Sequence, residues 1–477
     1  MGEKGRGVLT RDAACLLSST FLNTIPVGFI NVVPLVYLAQ IGYDPAVIGF
    51  IYSVSAIAVS VGLIPFGILA DRYSRKPILV AGTLIPCVSY AIFGLTLNPA
   101  WLTIASVIGG VGFAGGLASA LATPTLIPML ANSAPDSRRP SLFALLQGSW
   151  AVAFTVGSLL SLLPGVLKSS LGLSDAVAHS ESYFVMSGLV VLSVVPLLFL
   201  KQRSEHNESR EPDRNDGPSS ETRSASHLGL APGSPGRTGL SAAWTNIMKF
   251  SAVFLLLGLG LGVLVQLLPT WYALEYGASE NSIGLWMAVS NLGTLLSIPL
   301  IPWILRTRGV MMTAAAGGVV AACLLALMSL TGSFETAAIL FAVRSVAYGV
   351  SWATLQSYMM STVDDSSRAK MVGFAYTAWG IGVFAGTFLG GDLLGLGLLA
   401  LPFAAGVACY LASSVCLPVF FRKPGRGAGL SGFGRPLTDR PTAWGVLAGA
   451  GPDAKLPRGS QLDGGVRRSV RSRRHIH

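Results

Sequence analysis

The sequence predicts an all-α integral membrane protein with twelve transmembrane helices in two pseudo-symmetric six-helix bundles. Three observations carry that expectation. The 477 residues are 52% hydrophobic and only 12% charged, about half the charge of a soluble domain. Apolar stretches recur twelve times along the chain, each near the roughly 20 residues that a spanning helix needs. The cations also fall almost entirely on one side of the topology those stretches define, the side that the positive-inside rule makes cytoplasmic.

The stretches are 14–38, 46–69, 77–97, 101–130, 141–164, 183–200, 247–274, 281–305, 310–331, 335–361, 370–393 and 398–421. The fourth contains Pro124 and Pro128, and the sixth is short. With both termini inside, the inner segments hold Lys4, Arg6, Arg11, Arg72, Arg75, Lys76, Arg138, Arg139, seven cations from Lys201 to Lys249, Arg306, Arg308, Arg368 and Lys370. The outer segments hold the single cation Lys168, beside Asp44, Asp175, Glu181, Glu275, Glu280, Glu335 and Asp392. A one-helix error would scramble this asymmetry. The expectation is therefore a multi-pass protein of the plasma (cell inner) membrane with both termini cytoplasmic.

Composition sets the boundaries. Residues 1–12 form a cytoplasmic N-terminus and 13–200 the first bundle. Residues 201–245, rich in Ser, Pro, Gly and mixed charge, read as a flexible cytoplasmic linker. The second bundle covers 246–421. The segment 422–477 reads as a disordered basic tail, ending in Arg467, Arg468, Arg471, Arg473 and Arg474; its expected partner is anionic lipid rather than nucleic acid.

The two halves repeat. An offset of 229 residues carries Arg139 onto Arg368, Trp150 onto Trp379, Gly157 onto Gly386 and Leu160 onto Leu389. An offset of 235 carries Ile48-Gly49 onto Ile283-Gly284 and Val54-Ser55 onto Val289-Ser290. One residue less carries Ile64-Pro65 onto Ile298-Pro299 and Arg72 onto Arg306. Matches in order at nearly one offset indicate a parallel repeat of six helices.

Residues 67–76 read Gly-Ile-Leu-Ala-Asp-Arg-Tyr-Ser-Arg-Lys, and Asp71, Arg72, Arg75 and Lys76 are the only charges from Pro45 to Asn98. Such a turn belongs at the water boundary between two spans. It closely resembles the helix 2–3 loop motif of the major facilitator superfamily through Gly67, Leu69, Asp71, Arg72, Arg75 and Lys76. Ser74 departs from the usual glycine. The resemblance covers about residues 10–421, strongly in this motif and diffusely elsewhere. In the second copy Arg306, Arg308 and Gly309 remain, but Leu305 stands at the aspartate position. The resemblance implies a twelve-helix transporter with its substrate site near the midplane between two repeated halves. It also implies that Asp71 faces the N-terminus of helix 11, here near Asp365-Ser366-Ser367, while Arg72, Arg75 and Lys76 close the cytoplasmic side. The bland alternative is positive-inside anchoring, which explains the cations but neither Asp71 nor Gly67.

Polar and aromatic residues inside the spans suggest a cavity. The candidates are Asn23, Asn31, Gln147, Trp150, Gln266, Asn291, Arg344, Tyr348, Trp352, Tyr376 and Trp379. The repeat places Tyr376 and Trp379 opposite Gln147 and Trp150, and Arg344, Tyr348, Trp352 and Gln356 run at spacing four. Each Asn or Gln taken alone reads equally well as interhelical glue. Arg344 lies about 13 Å along its helix from Glu335 at 1.5 Å per residue. An intramembrane arginine faces water, a partner or a substrate; it reads either as an anion site or as a cation snorkelling outward. Glycines at 382, 386 and 390, and at 112 and 116, read as close helix packing. Gly258, Gly260 and Gly262 read as a place to bend.

Five scattered cysteines read as free buried thiols. The chain shows no metal spacing, phosphate loop or nucleophile–base constellation, so neither an enzyme nor a cofactor is expected. The central spans hold no acid, the helix 5 glycine–proline pattern of drug/proton antiporters is missing, and so is the helix 4 arginine common among such carriers. The functional expectation is a monomeric transporter working by rocker-switch alternating access. It would move a small organic anion or amphipathic solute by facilitated diffusion, exchange or secondary active transport. The alternative is a sensor or scaffold that keeps the fold without transporting.

Overall fold

Thr10 opens the first helix: its hydroxyl accepts a hydrogen bond from the Ala13 amide at 3.2 Å. The same device recurs at Asp44 to Ala46, Asn98 to Ala100, Ser279 to Ser282 and Ser333 to Thr336. Each cap satisfies an amide that the first helical turn leaves without a partner. Pro45 and Pro99 then occupy the first helical position, where no amide hydrogen is needed.

A computed structural model describes residues 10–112, 115–133, 139–200, 237–362 and 365–421. Among them there is no strand, and twelve helical segments follow in order. They are α1 (Arg11–Ile30 continued by Val33–Gln40), α2 (Pro45–Arg72), α3 (Arg75–Leu95), α4 (Pro99–Gly109 and Gly116–Asn132), α5 (Arg139–Leu159 running on to Leu163–Leu171) and α6 (Asp175–Leu198). The second half comprises α7 (Arg237–Gly260, Leu261–Val265 and Leu268–Tyr276), α8 (Glu280–Arg308), α9 (Val310–Met328), α10 (Phe334–Ser361), α11 (Asp365–Gly395) and α12 (Leu401–Phe421). Eleven are long and apolar enough to cross a membrane, and Pro99–Gly109 is a shorter apolar helix. Helix α7 begins at Arg237, inside the segment expected to be linker. Most of that linker and the 422–477 tail lie outside the described residues, as do residues 1–9.

Three helices break along their length. Helix α1 turns at Asn31 and Val32. Helix α7 passes through a π-turn at Leu261–Val265, which follows Gly258 and Gly260 and contains Gly262. Helix α4, expected as one continuous span, stops at Gly109 and restarts at Gly116. Gly110, Gly112, Gly115 and Gly116 all have φ between +57° and +79°, a region that side-chain-bearing residues avoid. Gly112 and Gly116 therefore form part of a break and not a packing face, which corrects the expectation for this pair.

The repeat reappears in three dimensions. A Cβ built on Gly28 of α1 would lie 2.5 Å from the Phe154 carbonyl oxygen and 3.0 Å from the Ser158 nitrogen of α5. A Cβ built on Gly262 of α7 would meet the equivalent atoms of α11, the Val383 carbonyl oxygen and, at 2.7 Å, the Thr387 nitrogen. An offset of 229 carries 154 to 383 and 158 to 387. Gly382, Gly386 and Gly390 of α11 likewise meet carbonyls of α7, so the close packing expected for them is present.

Both halves belong to one unit, Met1–Arg422. The end of this unit carrying Tyr73 and Ser74 is called the motif end here, and the opposite one the distal end. At the distal end α2 and α11 touch backbone to backbone: a Cβ on Gly49 would lie 2.6 Å from Gly391 Cα and 2.9 Å from the Thr387 carbonyl oxygen. The mirror contact joins α8 to α5, where a Cβ on Gly284 would lie 2.7 Å from the Ser158 carbonyl oxygen. Towards the motif end of the same α2, a Cβ on Gly67 would meet nothing within 4 Å among the described residues, and Val61 and Ile68 are exposed. This conformation is closed at the distal end.

Candidate substrate site and the seam between the halves

The second half gathers aromatic rings near mid-depth. On α10, Trp352 stands about 25 Å from Glu335 along the axis. Its ring centroid lies 5.5 Å from Phe254 of α7 and 6.3 Å from both Tyr376 and Trp379 of α11. Tyr348, one turn away, stacks on Trp352 at 6.1 Å and 18°. Gln356 donates to the Tyr376 hydroxyl at 2.8 Å. Spacing four on α10 puts Tyr348, Trp352 and Gln356 on one stripe, and α7 and α11 bring the rest to it. Phe254 is fully buried, while Tyr348, Trp352, Tyr376 and Trp379 keep part of their surface exposed. The indole nitrogen of Trp379 is buried with no hydrogen-bond partner.

Arg344 ends this stripe on its distal side. It is only 3% exposed. One guanidinium nitrogen donates to the Tyr410 hydroxyl of α12 at 2.7 Å. The guanidinium carbon sits 4.4 Å from the Tyr348 ring centroid, 5.1 Å from Tyr410 and 5.6 Å from Phe341. This aromatic cage attracts the cation through the ring quadrupoles. Among the described residues no carboxylate comes within ion-pair distance of it, and its Nε is buried without a partner.

The remaining candidates behave differently. Asn23 donates to the Thr83 carbonyl at 3.1 Å and to the Ser193 hydroxyl at 3.4 Å, tying α1 to α3 and α6. Asn31 donates to the Val27 carbonyl at the α1 break. Gln266 is buried at the α7 break beside Gly112. Asn291 of α8 donates to the Ser158 hydroxyl of α5 at 3.1 Å, across the seam. Asn23, Asn31 and Asn291 thus tie helices, a break and the seam together in this conformation. Gln147 is exposed, and Trp150 packs against a small cluster with Leu17, Leu142 and Leu146. A shallow, open groove of about 420 Å³ lies between α1 and α5, lined by Leu17, Ser18, Phe21, Leu22 and Ser149. Its lining was not among the expected site residues.

At the loop motif, Lys76 donates to the Leu198 and Leu200 carbonyls at 3.1 and 2.8 Å. It caps the end of α6, where a helix C-terminus favours a cation. Arg72 is exposed, and Arg75 starts α3. The side chains of Asp71, Arg306, Arg308 and Asp365 lie outside the described residues, and with them the expected contact between Asp71 and helix 11.

Sequence reasoning missed one pair. His179 of α6 and Glu280 of α8 meet across the distal seam, with Nε2 3.1 Å from both carboxylate oxygens. Glu280, counted above among the charges of the outer loops, is buried at 9% exposure. Thr270 of α7 adds a donor to the Leu35 carbonyl of α1 at 2.9 Å.

Twelve apolar helical segments and related contacts in two halves define a multi-pass membrane fold built from a repeat. The chain belongs to the Major Facilitator Superfamily, whose family profile matches residues 16–387 and 250–452. It is 26% identical over 167 residues to an uncharacterised transporter of this superfamily from Methanocaldococcus jannaschii, covering 35% of this chain and 41% of that protein. It is 29% identical over 117 residues to the niacin transporter NiaP of Acinetobacter baylyi, covering 24% and 25%. It is 28% identical over 159 residues to the 3-(3-hydroxy-phenyl)propionate transporter of Escherichia coli, covering 32% and 34%. The matched part is thus less than half the length of each relative. Among solved structures, the nucleoside transporter NupG aligns with a TM-score of 0.60 at 14% identity, over 87% of this chain and all of that one. A bacterial homologue of the lysosomal transporter Spinster, inward-facing and occupied, aligns with a TM-score of 0.60 at 16% identity, over 86% and 94%. Identities this low establish the fold alone.

Proposed function

We propose that this transporter moves a planar aromatic or amphipathic organic compound carrying an anionic group, by alternating access. The observation that carries the reading is the partly exposed shelf of Tyr348, Trp352, Tyr376 and Trp379 with Arg344 at its end. Aromatic rings offer a flat apolar face to a ring-bearing solute. A buried arginine with no carboxylate partner favours a ligand that supplies the negative charge, because pairing offsets desolvation. The relatives named for niacin and for a hydroxyphenyl propionate transport compounds of that description. In the present conformation Tyr348 and Tyr410 cover Arg344, so its engagement requires those rings to part. The motif end is read as cytoplasmic from its cations. In sealed right-side-out cells, a membrane-impermeant thiol reagent should then label Asp175→Cys and not Ser220→Cys.

The test is uptake and binding of aromatic carboxylates, with nicotinate and hydroxyphenylpropionate as first probes, in proteoliposomes holding the full chain. Trp352→Ala should weaken binding about tenfold, from roughly 1.5 kcal/mol of lost ring contact. Arg344→Gln should remove the preference for the acid over its amide, and Arg344→Lys should weaken binding by losing the planar fork. Thermal unfolding of each variant separates a lost ligand contact from a lost core residue. Equal affinity in wild type and a folded Arg344→Gln removes the arginine from the site.

A further inference from the structure

Two buried ionisable side chains lie at the distal end, away from the aromatic shelf. His179 is 5% and Glu280 9% exposed. They come from different halves, 101 residues apart in sequence. The imidazole stacks on Tyr37 of α1, with ring centroids 3.7 Å apart and planes at 15°. Its Nδ1 lies 2.8 Å from the Asp175 carbonyl oxygen. A carbonyl can only accept, so Nδ1 must carry a hydrogen. A neutral imidazole with that tautomer presents a lone pair at Nε2. Facing that lone pair, 3.1 Å away, are both oxygens of Glu280. Two acceptors do not attract one another. The contact therefore needs a proton, placed either on Nε2 or on the carboxyl.

We propose that His179 and Glu280 form a proton-binding latch, in which the distal seam closes only when the pair holds one proton between its two members. The other ionisable groups facing the pair are few. Tyr37 stacks on the ring, and Tyr183, one turn along α6, packs its ring against Phe29 and Phe93. The Asp175 carboxylate lies 3.8 Å from Nδ1 and is itself paired with Lys168 at 3.0 Å. This latch rests on the alternating-access reading, since it acts on the opening of one end.

The sign of the pH effect follows from counting protons. When the seam opens, both groups meet water, where imidazole titrates near about pH 6.5 and a glutamic acid near about 4.3. Above about pH 6.5 the open form binds no proton here and the closed form binds one. Closing then takes up a proton and is favoured about tenfold for each unit of acidification. Between about pH 6.5 and 4.3 both forms hold one proton, and the dependence vanishes. Alkaline solution at the distal face thus opens the seam. The proton leaves and returns by that face, so the latch gates transport and carries no proton across.

The experiment uses the full chain in proteoliposomes, its five cysteines replaced by alanine and spin labels placed at Leu171 and Leu330. Both positions are at the distal end, one in each half, and are 66% and 81% exposed. Pulsed electron spin resonance then reads the distance distribution from pH 5 to pH 9. The expected result is a longer-distance population that grows about tenfold per unit above about pH 6.5 and is flat below it. His179→Gln and Glu280→Gln each supply an amide hydrogen to the remaining partner, so each should latch without a proton and abolish the slope. Glu280→Gln serves if His179→Gln fails to fold. A longer-distance population whose slope survives both substitutions, or that has no slope in the parent, overturns the latch alone. A single short distance at every pH overturns the latch and the alternating opening together.

Discussion

The seam between the halves runs along two lines, α2 against α11 and α5 against α8, and they are built alike where backbone meets backbone and differently where side chains meet. Gly49 approaches the Thr387 carbonyl on one line, and Gly284 approaches the equivalent Ser158 carbonyl on the other. Yet Ser158 accepts a hydrogen bond from Asn291, whereas Thr387 has a buried hydroxyl with no partner, and the residue equivalent to Asn291 is Ala56. The backbone contacts set how closely the halves can approach. The side chains then set how firmly they hold. Duplication preserved the first and left the second free to diverge, because a glycine at a backbone crossing has no substitute while a polar pair does.

The largest effects are expected from filling those crossings. Gly49→Ala or Gly284→Ala puts a methyl where backbone atoms stand at 2.6–2.9 Å. Overpacking of that kind costs about 1–3 kcal/mol. The strain falls on the closed seam alone, so the distal-open population should rise by roughly 5- to 150-fold, read by spin-label distances at Leu171 and Leu330. Gly28→Ala and Gly262→Ala make equivalent clashes within one half, where no change of state relieves them. They should lower the thermal unfolding temperature instead. If the seam glycines and the intra-half glycines behave alike, the distinction between the seam and the helix packing of each half is wrong.

The lines also differ at the motif end. Helix α2 carries Asp71, while the equivalent position in α8 is Leu305. A carboxylate near a helix N-terminus contributes about 0.3–1 kcal/mol, and up to about 2 when partly buried. Asp71→Asn should therefore slow transport about 2- to 30-fold with little change in the yield of folded protein. Transport at the wild-type rate would reduce the loop to an anchor, the role Lys76 already plays at the end of α6.

Much of this was legible from residue order. The twelve apolar runs and the offsets of 229 and 235 anticipated the helices and the related contacts, because hydrophobic length and glycine position are local properties. The break in α4 was not, since Gly112 and Gly116 at spacing four fit a packing face as well as a turn; only their positive φ decides. The roles of Asn23 and Asn291 stayed open for a related reason, as an amide in a membrane helix is defined by what faces it. Glu280 reads as an outer charge because it falls just before the apolar stretch 281–305. Its partner His179 comes from the other half, and no pattern in sequence joins them. The ring cluster around Trp352 was half visible, as the α10 stripe and the Tyr376–Trp379 pair, while Phe254 escaped notice as an ordinary apolar residue of α7.

The finest test compares the two equivalent hydroxyls. Ser158→Ala removes the acceptor of the 3.1 Å bond from Asn291 and leaves a partly buried amide hydrogen facing a methyl. Interhelical hydrogen bonds in membranes contribute about 0.6 kcal/mol on average, so the distal-open population should rise about threefold. Thr387→Val exchanges a hydroxyl that has no partner for a methyl of similar size, and so sacrifices no bond. The closed seam should be unchanged or slightly favoured, because an unsatisfied buried hydroxyl is itself unfavourable. Asn291→Leu should match Ser158→Ala, and combining the two should add little further, since both delete one interaction. A rise from Ser158→Ala beside no change or a small fall from Thr387→Val would fit this account. Equal shifts in the same direction would mean that Thr387 has a partner in the seam and that the two lines are held alike.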